Sequence, residues 1–268
     1  MKFGMPNLIE CHDLDDCVLM AERFGLNFVE INMSFPQYRS DTLDVGHCLS
    51  LSRAHHVFYT IHADEGLDPF NFDPRVSACY FDVMRDTLRF ALAIGAPVVN
   101  LHLQKGIYVT LPDRVVLLND VYREEYFTRV RDFARMCEET IGDAPLRVAI
   151  ENVDSSPFTE SQKQALSAVF MKSPAFALTL DTGHMISLAN ADLPVFDTYA
   201  ERLRHMHLHD SDGCHAHLPL GEGIADVRAY LSRLPADATC LLEVKTLEGL
   251  KQSISYLKNH NIKEFLTR

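Results

Sequence analysis

No two cysteines in this 268-residue chain stand in a C-x-x-C pair, although there are seven of them. An odd number without metal-type or redox-type spacing argues against a disulfide framework and for free thiols in a reducing compartment. Basic residues are scarce: 25 Lys and Arg face 37 Asp and Glu, a formal net charge of −12. Sequence-independent binding of nucleic acid relies on clustered cations, so this balance disfavours a nucleic-acid partner. No apolar run approaches the length of a membrane span, and the opening Met1-Lys2-Phe3-Gly4-Met5-Pro6 lacks the apolar segment of a secretory signal. The expectation is a cytoplasmic protein without a membrane partner. Gly221-Glu222-Gly223 has neither the spacing nor the lysine of a phosphate-cradling loop. Low-complexity tracts, charge runs and long Pro/Gly linkers are missing too. Residues 1–268 therefore read as one domain, with 47% hydrophobic residues to build a core.

What is abundant is histidine near the C-terminus. Five of the thirteen fall between His205 and His217, in His-Met-His-Leu-His-Asp-Ser-Asp-Gly-Cys-His-Ala-His. His205, His207 and His209 alternate with Met206 and Leu208, so on a strand they share one face. A core face would carry leucine or valine, because three packed imidazoles leave several ring nitrogens to satisfy. Such a strand end suits a site that wants nitrogen ligands.

Short apolar runs alternate with amphipathic stretches along the whole chain. The patterning predicts strands at 2–5, 28–32, 57–62, 98–102, 147–151, 177–181, 204–209 and 240–243. It predicts helices at 14–24, 42–55, 74–94, 120–141, 159–171, 197–203, 225–234 and 247–259. Asp73-Pro74 supplies an N-cap and a first-turn proline, and His55-His56 marks a helix end. At roughly one strand–helix unit per 33 residues, the pattern predicts an α/β fold, a single (β/α)8 TIM barrel.

The strand ends carry the chemistry. They read Ile61-His62-Ala63-Asp64, Asn100-Leu101-His102, Ile150-Glu151-Asn152, Leu180-Asp181-Thr182-Gly183-His184, His207-Leu208-His209-Asp210 and Leu242-Glu243. Any one of these is an ordinary capping carboxylate or satisfied histidine. Six in succession are not, because a parallel barrel gathers all its strand ends at one mouth. A carboxylate-and-imidazole set without thiolates suits Zn, Mn, Co, Fe or Mg better than Ca, which prefers oxygen alone. Cys214 is not counted as a ligand. Phe70, Phe72, Phe81 and Phe90 read as core or pocket wall, and Lys105, Arg123 and Lys245 are candidates for a substrate phosphate or for plain solvated surface.

From Phe28-Val29-Glu30 to Leu242-Glu243, the chain resembles the xylose isomerase-like barrels, which include ketose 3-epimerases and the endonuclease IV family of apurinic-site endonucleases. The epimerase resemblance implies one divalent metal held by Glu151, Asp181, His207 and Glu243. Glu151 and Glu243 would then move protons on opposite faces of the substrate, while His184, His62, His102 and Glu30 bind it. The endonuclease resemblance implies up to three metals: His62 and His102 sharing one with Glu151, and His184 joining an Asp-x-His pair for the third. The chain departs from that pattern, since His215 stands in the aspartate position and His217 in the histidine position. The loop Ser34-Phe35-Pro36-Gln37-Tyr38-Arg39 is either a substrate-covering lid or, in the endonuclease reading, a DNA-inserting loop. The favoured expectation is a metal-dependent sugar or polyol isomerase or epimerase working through a metal-stabilised enediolate and two glutamates, on a small sugar-like molecule. The alternative is a multi-zinc phosphodiesterase. A homo-oligomer is left open.

Overall fold

The computed structural model describes residues 1–266. Ten strands run in the order β1 (Lys2–Pro6), β2 (Phe28–Asn32), β3 (Phe58–His62), β4 (Val98–His102), β5 (Tyr108–Thr110), β6 (Val115–Leu117), β7 (Arg147–Glu151), β8 (Phe176–Asp181), β9 (Leu203–Leu208) and β10 (Thr239–Leu242). All but β5 and β6 pair in parallel and close into a barrel, β1-β2-β3-β4-β7-β8-β9-β10 and back to β1. This is the (β/α)8 TIM barrel expected from the patterning.

Strand alternation sorts the side chains. Val29, Ile31, Tyr59, Ile61, Val99, Leu101, Val148, Ile150, Leu178, Leu180, Met206 and Leu208 pack with the helices in one large buried cluster. Their neighbours in sequence turn into the barrel, where Val98, Ala149 and Ala177 form a small apolar layer of their own. Above that layer the interior is polar: Glu30, Thr60, Asn100, Thr179, His205 and Thr239 are all buried. The hydrophobic stabilisation thus sits between sheet and helices, and the inner lining is free to carry chemistry.

The helices begin where the sequence caps them. Asp13 caps α1 (Leu14–Arg23), Asp44 caps α2 (Val45–His55) and Asp73 caps α3 (Pro74–Ile94), whose first residue is proline. Between β4 and β7, α4 (Leu118–Val121) and α5 (Arg123–Ile141) stand where one helix at 120–141 was expected. Thr159 and Gln162 form a reciprocal capping box on α6 (Glu160–Ala168).

The structure departs from the expected elements in three further respects. An antiparallel hairpin, β5–β6, occupies a stretch that the patterning left unassigned; its β-branched Val109, Thr110, Val115 and Val116 suit extended backbone. A short helix, α7 (Thr182–Ser187), starts directly on the end of β8 with Asp181 as its N-cap. The helix expected at 197–203 is instead α8 (Leu193–Thr198), a 3₁₀ turn at Ala200–Arg202, and then β9 from the buried Leu203. The last helices are α9 (Val227–Leu231), α10 (Leu247–Asn259) and α11 (Lys263–Leu266). Among the described residues no helix is long and apolar enough to cross a membrane.

Candidate active site

The register brings the strand-end residues together. His102 is paired with Glu151 across β4–β7, and Asp181 with His207 across β8–β9. Glu243 follows β10 directly. One donor atom each from Glu151, Asp181, His207 and Glu243 lies within 4.8 Å of all the others, and all four residues are buried. His207 Nδ1 is 3.2 Å from Glu151 Oε1, 3.0 Å from Glu243 Oε2 and 3.8 Å from Asp181 Oδ2.

Three of those atoms, Glu151 Oε1, His207 Nδ1 and Glu243 Oε2, are buried and make no aligned hydrogen bond in the protein. An unsatisfied buried carboxylate oxygen is costly, and here two converge on one imidazole nitrogen. The donor set, three carboxylates and one imidazole, is that of a divalent-cation site, and the four residues fit one.

The surrounding hydrogen bonds fix the three candidate carboxylate ligands. Asp181 Oδ1 accepts from the His184 amide at 2.7 Å. Asn152 clamps the Asp181 backbone from both sides, accepting from its N–H at 2.9 Å and donating to its carbonyl at 3.0 Å. Asn100 donates to Glu151 Oε2. Lys245 Nζ donates to Glu243 Oε1 at 2.8 Å, leaving Oε2 for the cluster. Burial pushes Glu151 and Glu243 up, yet the cations beside them, His207 with His102 on Glu151 and His207 with Lys245 on Glu243, together hold them well below the usual carboxylate range.

Glu151 also faces a second group. Its Oε2 is 3.0 Å from His102 Nε2 and 3.6 Å from His62 Nε2. His62 Nδ1 lies 2.8 Å from the Ala63 carbonyl, which places a proton on Nδ1 and turns Nε2 inward toward Glu151. His102 Nε2 makes no aligned hydrogen bond. Burial pushes His62 down, but Glu151 outweighs it and raises the imidazole to about 9 in the metal-free protein.

A third group lies on the other side, where nitrogens of His184, His209 and His217 come within 4.8 Å of one another. Burial pushes the His217 imidazole down to about 4, so it is neutral at pH 7. His215, expected in this group, is not in it. Its exposed ring turns outward and its Nδ1 meets Asp212 Oδ2 at 2.9 Å, because Asp212 also accepts the Cys214 and His215 amides in a tight turn. His209 takes the place instead.

Glu30 is placed differently from expectation. It reaches the cavity wall, but its oxygens are spent beneath His207: Oε1 lies 3.0 Å from His207 Nε2, and Oε2 accepts from Thr60 at 2.7 Å and meets His205 Nε2 at 3.0 Å. Of the three candidate phosphate ligands, Lys105 stacks over Tyr108 and Arg123 over Phe127. Only Lys245 lines the cavity. Cys214 is exposed. Asn100 and Asn152 were the residues that sequence reasoning missed; each sits beside a flagged strand end, one alternation or one position away.

A cavity of about 530 Å³ opens at the barrel mouth, between Leu8, Phe35, His62, Glu65, His217 and Glu243. The loop after β2 supplies Ser34, Phe35 and Pro36 to its wall, while Arg39 pairs outside with Asp41. Asn32 Nδ2 donates to Glu65 Oε1 at 2.7 Å, tying two rim loops together.

The chain belongs to the xylose isomerase-like TIM barrel family, whose sequence model matches residues 18–260. Among solved structures it is similar to a D-tagatose 3-epimerase-like protein, at 20% identity and a TM-score of 0.77 over 98% of both chains. It is also similar to an IOLI protein with a bound zinc atom (16% identity, TM-score 0.73, 99% of this chain and 98% of that one). Endonuclease IV from Thermus thermophilus superposes with a TM-score of 0.66 at 19% identity, over 97% of this chain and all of the other. No curated protein matches in sequence. At these identities the structural likeness speaks for the fold.

Proposed function

We propose that the protein is a divalent-metal-dependent isomerase or epimerase of a sugar or related polyol. The observation that carries this reading is the placement of Glu243, which belongs to the buried donor set and also to the wall of a 530 Å³ cavity. That volume suits a small molecule. The cavity lining includes one lysine and no arginine, and Lys245 is already paired with Glu243, while Glu30, Glu65 and Glu243 supply three carboxylates. Beyond the metal group, that lining offers a phosphate backbone no arginine and no unpaired lysine.

Glu151, Asp181, His207 and Glu243 would hold the ion, and its Lewis acidity would polarise a substrate carbonyl and acidify the adjacent C–H. Glu151 then takes the proton from that carbon, and the electron pair remains on the substrate as an enediolate. A proton taken up from solvent by Glu243 then passes to the neighbouring carbon or to the opposite face, and Glu151 gives its proton back to solvent. His62, His102 and His184 orient hydroxyls, and Lys245 keeps Glu243 turned so that one oxygen serves the cluster. The epimerase-like neighbour and, separately, the zinc atom in the IOLI neighbour are consistent with this chemistry.

A second reading draws support from the group around Glu151 Oε2. With His62 and His102 as further ligands, the site would become a multi-metal phosphoester hydrolase. The experiment that tests the first reading is incubation of metal-loaded protein with ketoses in deuterated water. Exchange at the carbon next to the carbonyl, lost in Glu151→Gln, is expected. No exchange with any ketose, together with cleavage of an abasic-site duplex, would reject it.

A further inference from the structure

We propose that His209 is a positioning residue, not a ligand of a further ion: its ring joins the Asp181 carboxylate to the loop that walls the cavity. The proposal rests on the reading of Asp181 as a metal ligand. Both ring nitrogens are committed. The His217 amide donates to Nδ1 at 2.8 Å, so Nδ1 carries a lone pair and no proton. The proton is therefore on Nε2, which lies 2.9 Å from Asp181 Oδ2. Nδ1 also passes 3.2 Å from the Asp210 carbonyl, but a nitrogen that accepts an aligned N–H cannot also donate. A neutral imidazole in this tautomer has no lone pair left for a metal. His184 and His217 alone are two ligands, fewer than the three protein ligands of even an open catalytic zinc site.

The surroundings hold the ring in this pose. His209 is fully buried, and its backbone exchanges two bonds with the Thr182 hydroxyl, at 3.0 and 2.7 Å. Gly183 lies against the imidazole: a Cβ there would sit 2.0 Å from Cε1, so no other residue leaves the ring in place. On the far side, Asp210 accepts from the amides of Ser211, Gly221 and Ala225, fixing the loop that carries His217 to the cavity wall. One ring thus sets both the hydrogen bond on Asp181 and the place of His217.

Two substitutions separate the ring's two bonds. His209→Asn keeps an acceptor near Nδ1 for the His217 amide and falls short of Asp181. His209→Gln puts an amide nitrogen near Nε2, keeps the donor to Asp181 and gives up the loop bond. Zinc affinity by chelator competition and the cobalt(II) absorption spectrum are measured on the full chain, with Asp181→Asn alongside. We expect the Asn variant to lose about 10–100-fold in affinity and shift its cobalt spectrum, as supporting partners of ligands do, while the Gln variant stays close to wild type. Long-range ¹H–¹⁵N spectra of the metal-free wild type should show the Nε2–H tautomer. An Nδ1–H tautomer, equal losses in the two variants, or loss of one whole metal equivalent in both would overturn the proposal. Wild-type affinity in Asp181→Asn would reject the ligand reading instead, and the tautomer would still decide whether His209 holds that carboxylate.

Discussion

Glu30 Oε1 lies 3.0 Å from His207 Nε2, on the opposite side of the imidazole from the nitrogen that faces Glu151 and Glu243. Burial pushes Glu30 up, but His207 and His205 outweigh it and hold the carboxyl below its usual range, so the group is ionised. A carboxylate behind a metal-ligating histidine orients the ring and raises its basicity. Replacing Glu30 with Gln keeps the shape and removes the charge. We expect zinc affinity to fall by about 10–100-fold, read by chelator competition; an unchanged affinity would contradict the assigned role.

The same cluster sets a pH dependence. Burial pushes His207 down, but Glu151, Glu243 and Glu30 outweigh it and hold it well above its ordinary 6.5 in the metal-free protein. That raised imidazole contributes stability fully present below pH 6.5 and lost as pH rises through the folded value. The depressed Glu151 and Glu243 contribute stability present above pH 4.5 and lost as pH falls through theirs. The cluster therefore favours the metal-free fold most between pH 4.5 and 6.5. A bound ion replaces the His207 proton, so metal affinity should rise with pH, and loading near pH 7 should release protons. Calorimetry in buffers of different ionisation enthalpy checks this; zero proton release would contradict it.

His62 and His102 decide between the two enzyme readings. In an isomerase they contact substrate, so His62→Gln/His102→Gln should raise KM for the ketose and leave about one metal per chain. In a multi-metal hydrolase the double variant should lose one metal equivalent and almost all phosphodiester cleavage, since a bridging nucleophile needs both ions. We expect the first result. Metal content by elemental analysis, alongside abasic-duplex cleavage, separates them.

A fold-only substitution provides the contrast. A Cβ on Gly4 would sit 2.4 Å from the Phe28 ring, which stacks on Phe58 at 5.2 Å between centroids. Gly4→Ala should cost about 1–3 kcal/mol through overpacking and leave metal content unchanged. Denaturant melts and elemental analysis read the two effects independently.

The barrel and its rim were legible because both follow from local pattern. A short apolar run at Arg147–Glu151 or Ala177–Asp181 marks a strand, and the last residue of each strand must reach the mouth. The partners were harder to read. Asn100 and Asn152 act through register with Glu151 and Asp181, which pairs residues about thirty to fifty apart in sequence. His215 does not join His184 and His217 because counting back from Gly221 cannot see the turn at Asp212, which directs His215 to solvent. The β5–β6 hairpin leaves Tyr108 and Val115 exposed, and its apolar run Val115-Val116-Leu117-Leu118 falls inside one strand–helix unit, outside the spacing that marks the barrel strands.

The most direct test of the metal centre is the zinc content of chain purified without chelator, compared with Glu243→Ala prepared alongside. Glu243 supplies one of four converging donors and lies at the cavity wall, and the barrel core does not depend on it. We expect about one tightly held ion per chain in the wild type, as for a four-ligand site, and a sharp drop in the variant with the fold retained by circular dichroism. Wild-type occupancy in Glu243→Ala would contradict the assignment of Glu151, Asp181, His207 and Glu243 as one divalent-cation site.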